Sequence, residues 1–331
     1  MLIKKLTDAC GLPGYEKEIR EIIKAELAGH VDSIITDRLG NLIAVKNQNA
    51  PGRHIALCAH MDEVGLCIRG IDKDGYLKFE SWGVDARVLY SKAVLVGKEK
   101  IPGVIGAAPI HLTPAEQRKN IVPSDKLYID IGAKSKEEAE KLVSLGDFAA
   151  FLSEYTEFGD NKIKAKALDD RIGCAAVIDL LKSDITKKIT GIFSAQEEVG
   201  LRGAAVAANR IEAELVINIE GTVCADTFSE DNIRQVTEVG KGPAVSVMDQ
   251  TSVYNKEYIK SITDCAKANG IPYQIKRAGA GGTDAGRFHT AKGGTPCIGI
   301  AVPCRYIHSP VSVMDLRDYE NLVKLIKEYI K

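Results

Sequence analysis

The chain has 331 residues, enough for one large domain and a second, smaller one. Its 45% hydrophobic and 27% charged residues are ordinary for a soluble globular protein. With 44 Lys+Arg against 45 Asp+Glu, it offers no net field to draw nucleic acid or an anionic membrane, and neither is expected as a partner.

The eight cysteines never form a C-x-x-C pair, which argues against a zinc ribbon or a disulfide framework. They read as reduced, mostly buried thiols. Without an apolar leader or a run long enough to cross a bilayer, a cytoplasmic location is expected.

In chain order, Leu2 to Ala9 reads as a short helix, followed by a turn at Gly11-Leu12-Pro13-Gly14. From Tyr15 to Ala28, Ile19, Ile22, Ile23 and Leu27 fall at helical spacing. Ser33 to Thr36 and Asn41 to Lys46 read as strands joined by a turn, and His54 to Cys58 as a buried strand running into Ala59-His60-Met61-Asp62-Glu63.

From about Val64 to Lys166 the texture changes to short β-type runs punctuated by Gly and Pro. One helix interrupts them, opened by Ser135 with Glu138 three residues on, a capping box. Polar His111 to Asn120 reads as a mobile loop. Thereafter strands and helices alternate: helix Arg171 to Leu181, strand Ile189 to Phe193, helix Ala204 to Asn209, strand Leu215 to Ile219, helix Lys256 to Ala268, strands Tyr273 to Ile275 and Pro296 to Ala301, and a last helix Leu316 to Ile330. The expected fold is α/β, a layered α/β/α domain over 1–65 and 165–331, with a β-rich insertion over 66–164.

In such sheets ligands sit beyond the carboxyl ends of strands. His60 and Asp62 follow one strand, Glu197 and Glu198 another, Glu220 a third, and His308 lies beyond a fourth; Asp169 and Asp170 stand where the insertion returns. Burying that many carboxylates together calls for a cation. Adjacent Glu197 and Glu198 point to opposite sides of extended backbone, so one can bind a metal while the other handles a proton. His60-x-Asp62 places Asp62 to hold the second ring nitrogen of His60. An isolated Glu pair or a lone histidine at a strand end would more often be structural; recurrence at one sheet edge is what favours a site.

Other chemistries fit less well. The chain has no G-x-S-x-G elbow, P-loop or H-E-x-x-H. Gly279 to Gly286 lacks the G-x-G-x-x-G spacing and reads equally as a close approach to substrate or a flexible turn.

Ala59-His60-Met61-Asp62-Glu63-Val64-Gly65, Ala167-Leu168-Asp169-Asp170-Arg171-Ile172-Gly173, Gln196-Glu197-Glu198-Val199-Gly200, Gly282-Thr283-Asp284-Ala285 and Arg305-Tyr306-Ile307-His308-Ser309 together resemble the tetrahedral aminopeptidases. These are dinuclear metallopeptidases of glutamyl or deblocking type, some of them called endoglucanases. The likeness runs from Gly11-Leu12-Pro13-Gly14-Tyr15-Glu16 to the last helix.

The resemblance implies two divalent ions, zinc or cobalt, bridged by Asp169. His60 and Glu220 would complete one shell, Glu198 and His308 the other, with Asp62 orienting His60 and Glu197 as general base. It also implies that the insertion is a dimerisation domain, that dimers assemble into a dodecamer, that short peptides are the substrates, and that the Asp169–Asp170 peptide is cis. Glu220 stands where the family usually has Asp, a longer arm that bears on metal preference. Two other readings are an N-acyl amino acid or small-amide hydrolase, and an assembly subunit with a degenerate site; the second would be favoured by loss of Asp169, Glu197 or Glu198, and all three are retained.

Overall fold

A computed structural model describes residues 1–227, 236–277 and 281–331. The chain forms two compact units. One comprises Met1–Glu63, Tyr155–Ile307 and Val311–Lys331; the other, Val64–Glu154 with His308–Pro310.

In chain order the elements are α1 (Leu2–Asp8), α2 (Lys17–Leu27), β1 (Ser33–Thr36), β2 (Leu42–Lys46), β3 (Ile55–His60), β4 (Gly65–Ile71), β5 (Leu77–Trp82), β6 (Ala93–Val96), β7 (Ile101–Gly106), β8 (Tyr128–Asp130), α3 (Lys136–Glu140), β9 (Phe148–Phe151), β10 (Thr156–Phe158), β11 (Lys162–Ala165), α4 (Leu168–Lys182), β12 (Ile189–Ser194), α5 (Arg202–Ala208), β13 (Leu215–Cys224), β14 (Ala244–Val245), α6 (Lys256–Ala268), β15 (Gln274–Ile275), α7 (Ala285–Thr290), β16 (Cys297–Arg305), β17 (Ser312–Asp315) and α8 (Leu316–Ile330).

Among the described residues, the larger unit is built on an 11-stranded sheet whose main path runs β1-β2-β12-β3-β13-β16-β17-β11-β10. At its centre β12, β3, β13 and β16 run parallel. Parallel strands need crossovers that cover both faces, so these strands read as near-continuous apolar runs. Alternation along β3 sorts the layers. Leu57 and Ala59 pack in the core shared with α1, α2, α4, α6 and α8, while Ala56 and Cys58 pack in a second core with α5 and α7. The α/β/α layering expected from the alternation of strands and helices follows.

Helix α4 has non-helical backbone angles at Asp169 (φ −87°, ψ 110°) and Asp170 (φ −122°, ψ 41°), so regular helix begins at Arg171. The Asp169–Asp170 peptide is cis. Strand β13 continues past Ile219 because its parallel register with β16 persists to Cys224 opposite Arg305. Glu220 therefore lies within a strand, opposite Ala301, rather than after one.

The smaller unit is a closed barrel in the order β4-β5-β8-β7-β6-β9, filled by Leu66, Ile68, Phe79, Val96, Ile105 and Phe151. Its one α-helix, α3, has half of the expected capping box: Ser135 accepts from the Glu138 amide at 3.3 Å, but the Glu138 carboxylate reaches one residue further back than the cap and accepts from the Lys134 amide at 2.9 Å. His111 to Asn120 is exposed and includes a short 3-10 turn at Gln117–Lys119.

The range 66–164 expected for the insertion needs correction at its end. β10 and β11 form a hairpin whose second strand pairs with β17, so both belong to the large sheet. Gly159-punctuated β runs look alike whether they close a barrel or edge a sheet, and only the pairing with residues 312–315 separates the cases.

Candidate metal centre

His60 ends β3 with its side chain 1% exposed. Its Nε2 lies 3.4 Å from Asp169 Oδ1, 3.5 Å from Glu220 Oε2 and 4.0 Å from Glu197 Oε2. Two sets of potential ligand atoms converge, each within 4.8 Å: His60 with Asp169 and Glu198, and His60 with Asp170 and Glu220.

Asp62 meets His60 differently from expectation. The ring Nδ1 lies 3.1 Å from the Asp62 backbone carbonyl and 3.6 Å from its carboxylate. A carbonyl only accepts, so Nδ1 carries the hydrogen, and in the neutral ring that a metal requires the lone pair is on Nε2. The Asp62 carboxylate is engaged elsewhere, accepting the amides of Glu197 at 2.9 Å and Glu198 at 3.0 Å. One residue thus fixes both the histidine and the two glutamates.

Asp170, not assigned from the sequence, sits among these residues with its carboxylate accepting the His60 amide at 3.1 Å and the Gly173 amide at 3.0 Å. Both oxygens are committed to backbone donors, which suits an organising role better than a ligand's. Asn218, also missed, donates to Glu220 Oε1 at 2.8 Å and turns Oε2 toward His60. The i, i+2 spacing of Asn218 and Glu220 on one strand was the available signal.

His308 belongs to the smaller unit. Its Nδ1 lies 3.0 Å from the Gly83 carbonyl, so there too Nε2 presents the lone pair. Of the Gly279 to Gly286 loop, Gly279 and Ala280 lie outside the described residues, while Asp284 is 1% exposed and accepts from Ser194 Oγ.

The electrostatics are those of crowded carboxylates. Burial raises the Glu220 carboxyl, His60 opposes this, and Asp169 and Asp284 add to it, leaving it at about 8. Burial likewise pushes Glu197 well above the carboxylate range, against His60 and with Glu220, Asp284 and Glu198. For His60 burial acts downward, and Glu197, Asp169, Asp62 and Glu220 override it and push the ring well up. A group of buried anions around one imidazole, each raising its neighbours, is complete only with added positive charge.

Residues 40–325 match the family of M42 glutamyl aminopeptidases. The chain belongs to that family. It is 33% identical to the lysyl aminopeptidase of Pyrococcus furiosus, over 100% of this chain and 96% of that one. The crystal structure of a TET aminopeptidase from a marine sediment Thaumarchaeota archaeon superposes with a TM-score of 0.95 at 33% identity, covering 100% of this chain and 96% of that one. The TET1 peptidase of Pyrococcus horikoshii, which can assemble into a tetrahedron or a large octahedral shell, superposes at 0.88 with 37% identity, covering 98% and 97%.

Members of the M42 family are hydrolases of peptide bonds, and this chain is an enzyme of that class. Membership implies divalent metal ions, and the donor set fits them. Imidazole and carboxylate donors suit zinc and similar cations, and the buried anions need the charge.

Proposed function

We propose that the chain is a dinuclear aminopeptidase that releases N-terminal residues from short peptides. The observation that carries this reading is the convergence on His60 of two groups of potential ligand atoms, one with Asp169 and Glu198, the other with Glu220 and with Asp170, whose oxygens already accept backbone amides. Asp169 would bridge two ions, zinc or cobalt, with His60 and Glu220 on one and Glu198 and His308 on the other. Asp169 Oδ1 and Glu220 Oε2 both face His60 Nε2, at 3.4 and 3.5 Å, which supports Asp169 as the shared ligand. The assignment of His308 rests on the resemblance and on its ring tautomer.

When bound, the ions supply Lewis-acid polarisation of the scissile carbonyl and acidify water. The chain's residues do the rest. Glu197 takes a proton from the attacking water and delivers it to the leaving amine, a role suited to a buried carboxylate beside the ligands. Asp62 holds Glu197 through its amide, so the acceptor oxygen is set before substrate arrives.

The test is a panel of aminoacyl anilides beside N-acetyl amino acids, with metal-stripped protein and after zinc or cobalt is returned. Cleavage of anilides that chelation abolishes and metal restores is expected. Preferential cleavage of the N-acetyl compounds would favour the small-amide reading instead, and inactivity on all of them the degenerate-subunit reading.

We further infer dimers, formed through the barrel unit and built up to a dodecamer, as the similarity to the tetrahedral TET1 peptidase supports. Sedimentation of the metal-loaded protein that gave only monomer would contradict this. The eight free cysteines, most of them buried, support a reducing, cytoplasmic setting.

A further inference from the structure

The loop after β12 carries Glu197 and Glu198, and its backbone is clamped from outside. Four successive amides are taken by side chains from three distant segments. The Ala195 amide donates to Asn41 Oδ1 at 2.9 Å, Gln196 to Glu16 Oε1 at 3.1 Å, and Glu197 and Glu198 to Asp62 at 2.9 and 3.0 Å. The carbonyls are taken as well: Ala195 accepts from Gly203 at 2.8 Å, Gln196 from Arg202 at 3.2 Å, and Glu197 from Gly200 and Leu201, both at 2.9 Å. The loop has no slack.

The clamp serves a conformation that the loop would not choose alone. Gln196 has φ 57°, left-handed backbone that costs a residue with a side chain about 1 kcal/mol or more and persists only where neighbours over-determine it. Glu197 and Glu198 also repel each other. Setting two further carboxylates, Glu16 and Asp62, behind a loop of carboxylates is electrostatically unfavourable, and burial and the Asp62 charge both raise the Glu16 carboxyl. Charge does not explain Glu16; its acceptor geometry does.

Glu16 is 2% exposed and Asn41 is fully buried. Each is itself anchored. Glu16 Oε1 also accepts the Gly14 amide at 2.8 Å, which ties it to the Gly11–Gly14 turn. Asn41 Nδ2 donates to Asp37 at 2.7 Å and to the Gly203 carbonyl at 2.9 Å, so Asn41 grips both ends of the loop. A Cβ at Gly203 would sit 2.3 Å from the Ala195 carbonyl oxygen, so the loop closes on itself only with glycine there.

We propose that Glu16, seconded by Asn41, is a positioning residue for the reaction. By accepting the Gln196 amide it holds that residue left-handed and thereby fixes where the Glu197 carboxylate points. This rests on the reading of Glu197 as the base, and it concerns geometry rather than charge. A shift of about 1 Å in a catalytic group costs on the order of a hundredfold in rate.

The experiment compares Glu16→Ala, Glu16→Asp and Glu16→Gln with the wild type in the metal-reconstituted full chain. It reads kcat and KM on the best anilide, metal content, melting temperature, and amide hydrogen exchange over the segment 195–198. In Glu16→Ala, kcat should fall about ten- to hundredfold with KM and metal content nearly unchanged, and exchange should quicken only in that segment and at Gly14, the other amide that Glu16 holds. Glu16→Asp keeps the charge but withdraws the acceptor, so it should resemble Glu16→Ala and serves if that variant fails to fold. Glu16→Gln keeps the acceptor without the charge and should recover both kcat and slow exchange. Unchanged kcat in Glu16→Ala and Glu16→Asp, loss of metal or of global stability in proportion to activity, or a Glu16→Gln no better than Glu16→Ala would each overturn the proposal. A wild type that cleaves no anilide would defeat the reading of the site, and the exchange pattern would still decide whether Glu16 holds the loop.

Discussion

Glu197→Gln should lower turnover by about 10²- to 10⁴-fold, the usual contribution of a general base, while leaving KM within a few fold of wild type. The amide replaces a proton acceptor with a group of the same shape, and the Glu197 backbone remains held by Asp62 at 2.9 Å. Steady-state kinetics on an aminoacyl anilide checks this. Turnover within tenfold of wild type would remove Glu197 from the role of base.

The second large effect is on stability. Glu63, Lys166 and Arg171 form a buried charge cluster in which their side chains are 2%, 4% and 0% exposed. Glu63 accepts from Lys166 at 2.7 Å, from Arg171 at 3.1 Å and from the Gly11 amide at 3.0 Å. Arg171 also donates to the carbonyls of Leu6 at 2.6 Å, Gly11 at 3.2 Å and Met61 at 2.9 Å, so the cluster joins the N-terminal helix to the segment between His60 and Asp62.

Glu63→Ala would leave two cations buried with no anion, which costs about 3–5 kcal/mol. Lys166→Met should cost much less, because Glu63 keeps Arg171 and the Gly11 amide. Denaturant unfolding of the two variants checks the ordering. If Lys166→Met proved as damaging as Glu63→Ala, the account of Glu63 as the common anion would fail.

Much of the candidate site was legible because its residues sit in local motifs at or near the ends of strands. His60 ends β3, and Glu197 and Glu198 follow β12; a buried apolar run that stops at a polar residue marks both places. What could not be read is what those side chains touch. Asp62 was expected to orient His60 through its carboxylate; its carbonyl does so instead, because the amides of Glu197 and Glu198, brought alongside by the parallel pairing of β3 and β12, claim the carboxylate. Glu16 and Asn41 act on residues more than a hundred positions away and stand where the sequence reads as the start of a helix and the start of a strand. The boundary of the barrel unit was misplaced for a related reason. The β10–β11 hairpin has the local texture of the insertion, and its membership of the large sheet is decided by a partner strand near the other end of the chain.

The most direct measurement sets metal content beside turnover in Glu197→Gln and Glu198→Gln, by elemental analysis of protein reconstituted with excess zinc and then dialysed. Glu198 lies in a group with His60 and Asp169 that could hold an ion, so on the proposed reading its amide variant should lose metal and turnover together. Glu197→Gln should keep its full complement of metal and lose turnover alone. Metal lost from Glu197→Gln and kept by Glu198→Gln would reverse the two roles, and full activity in both would contradict the site itself.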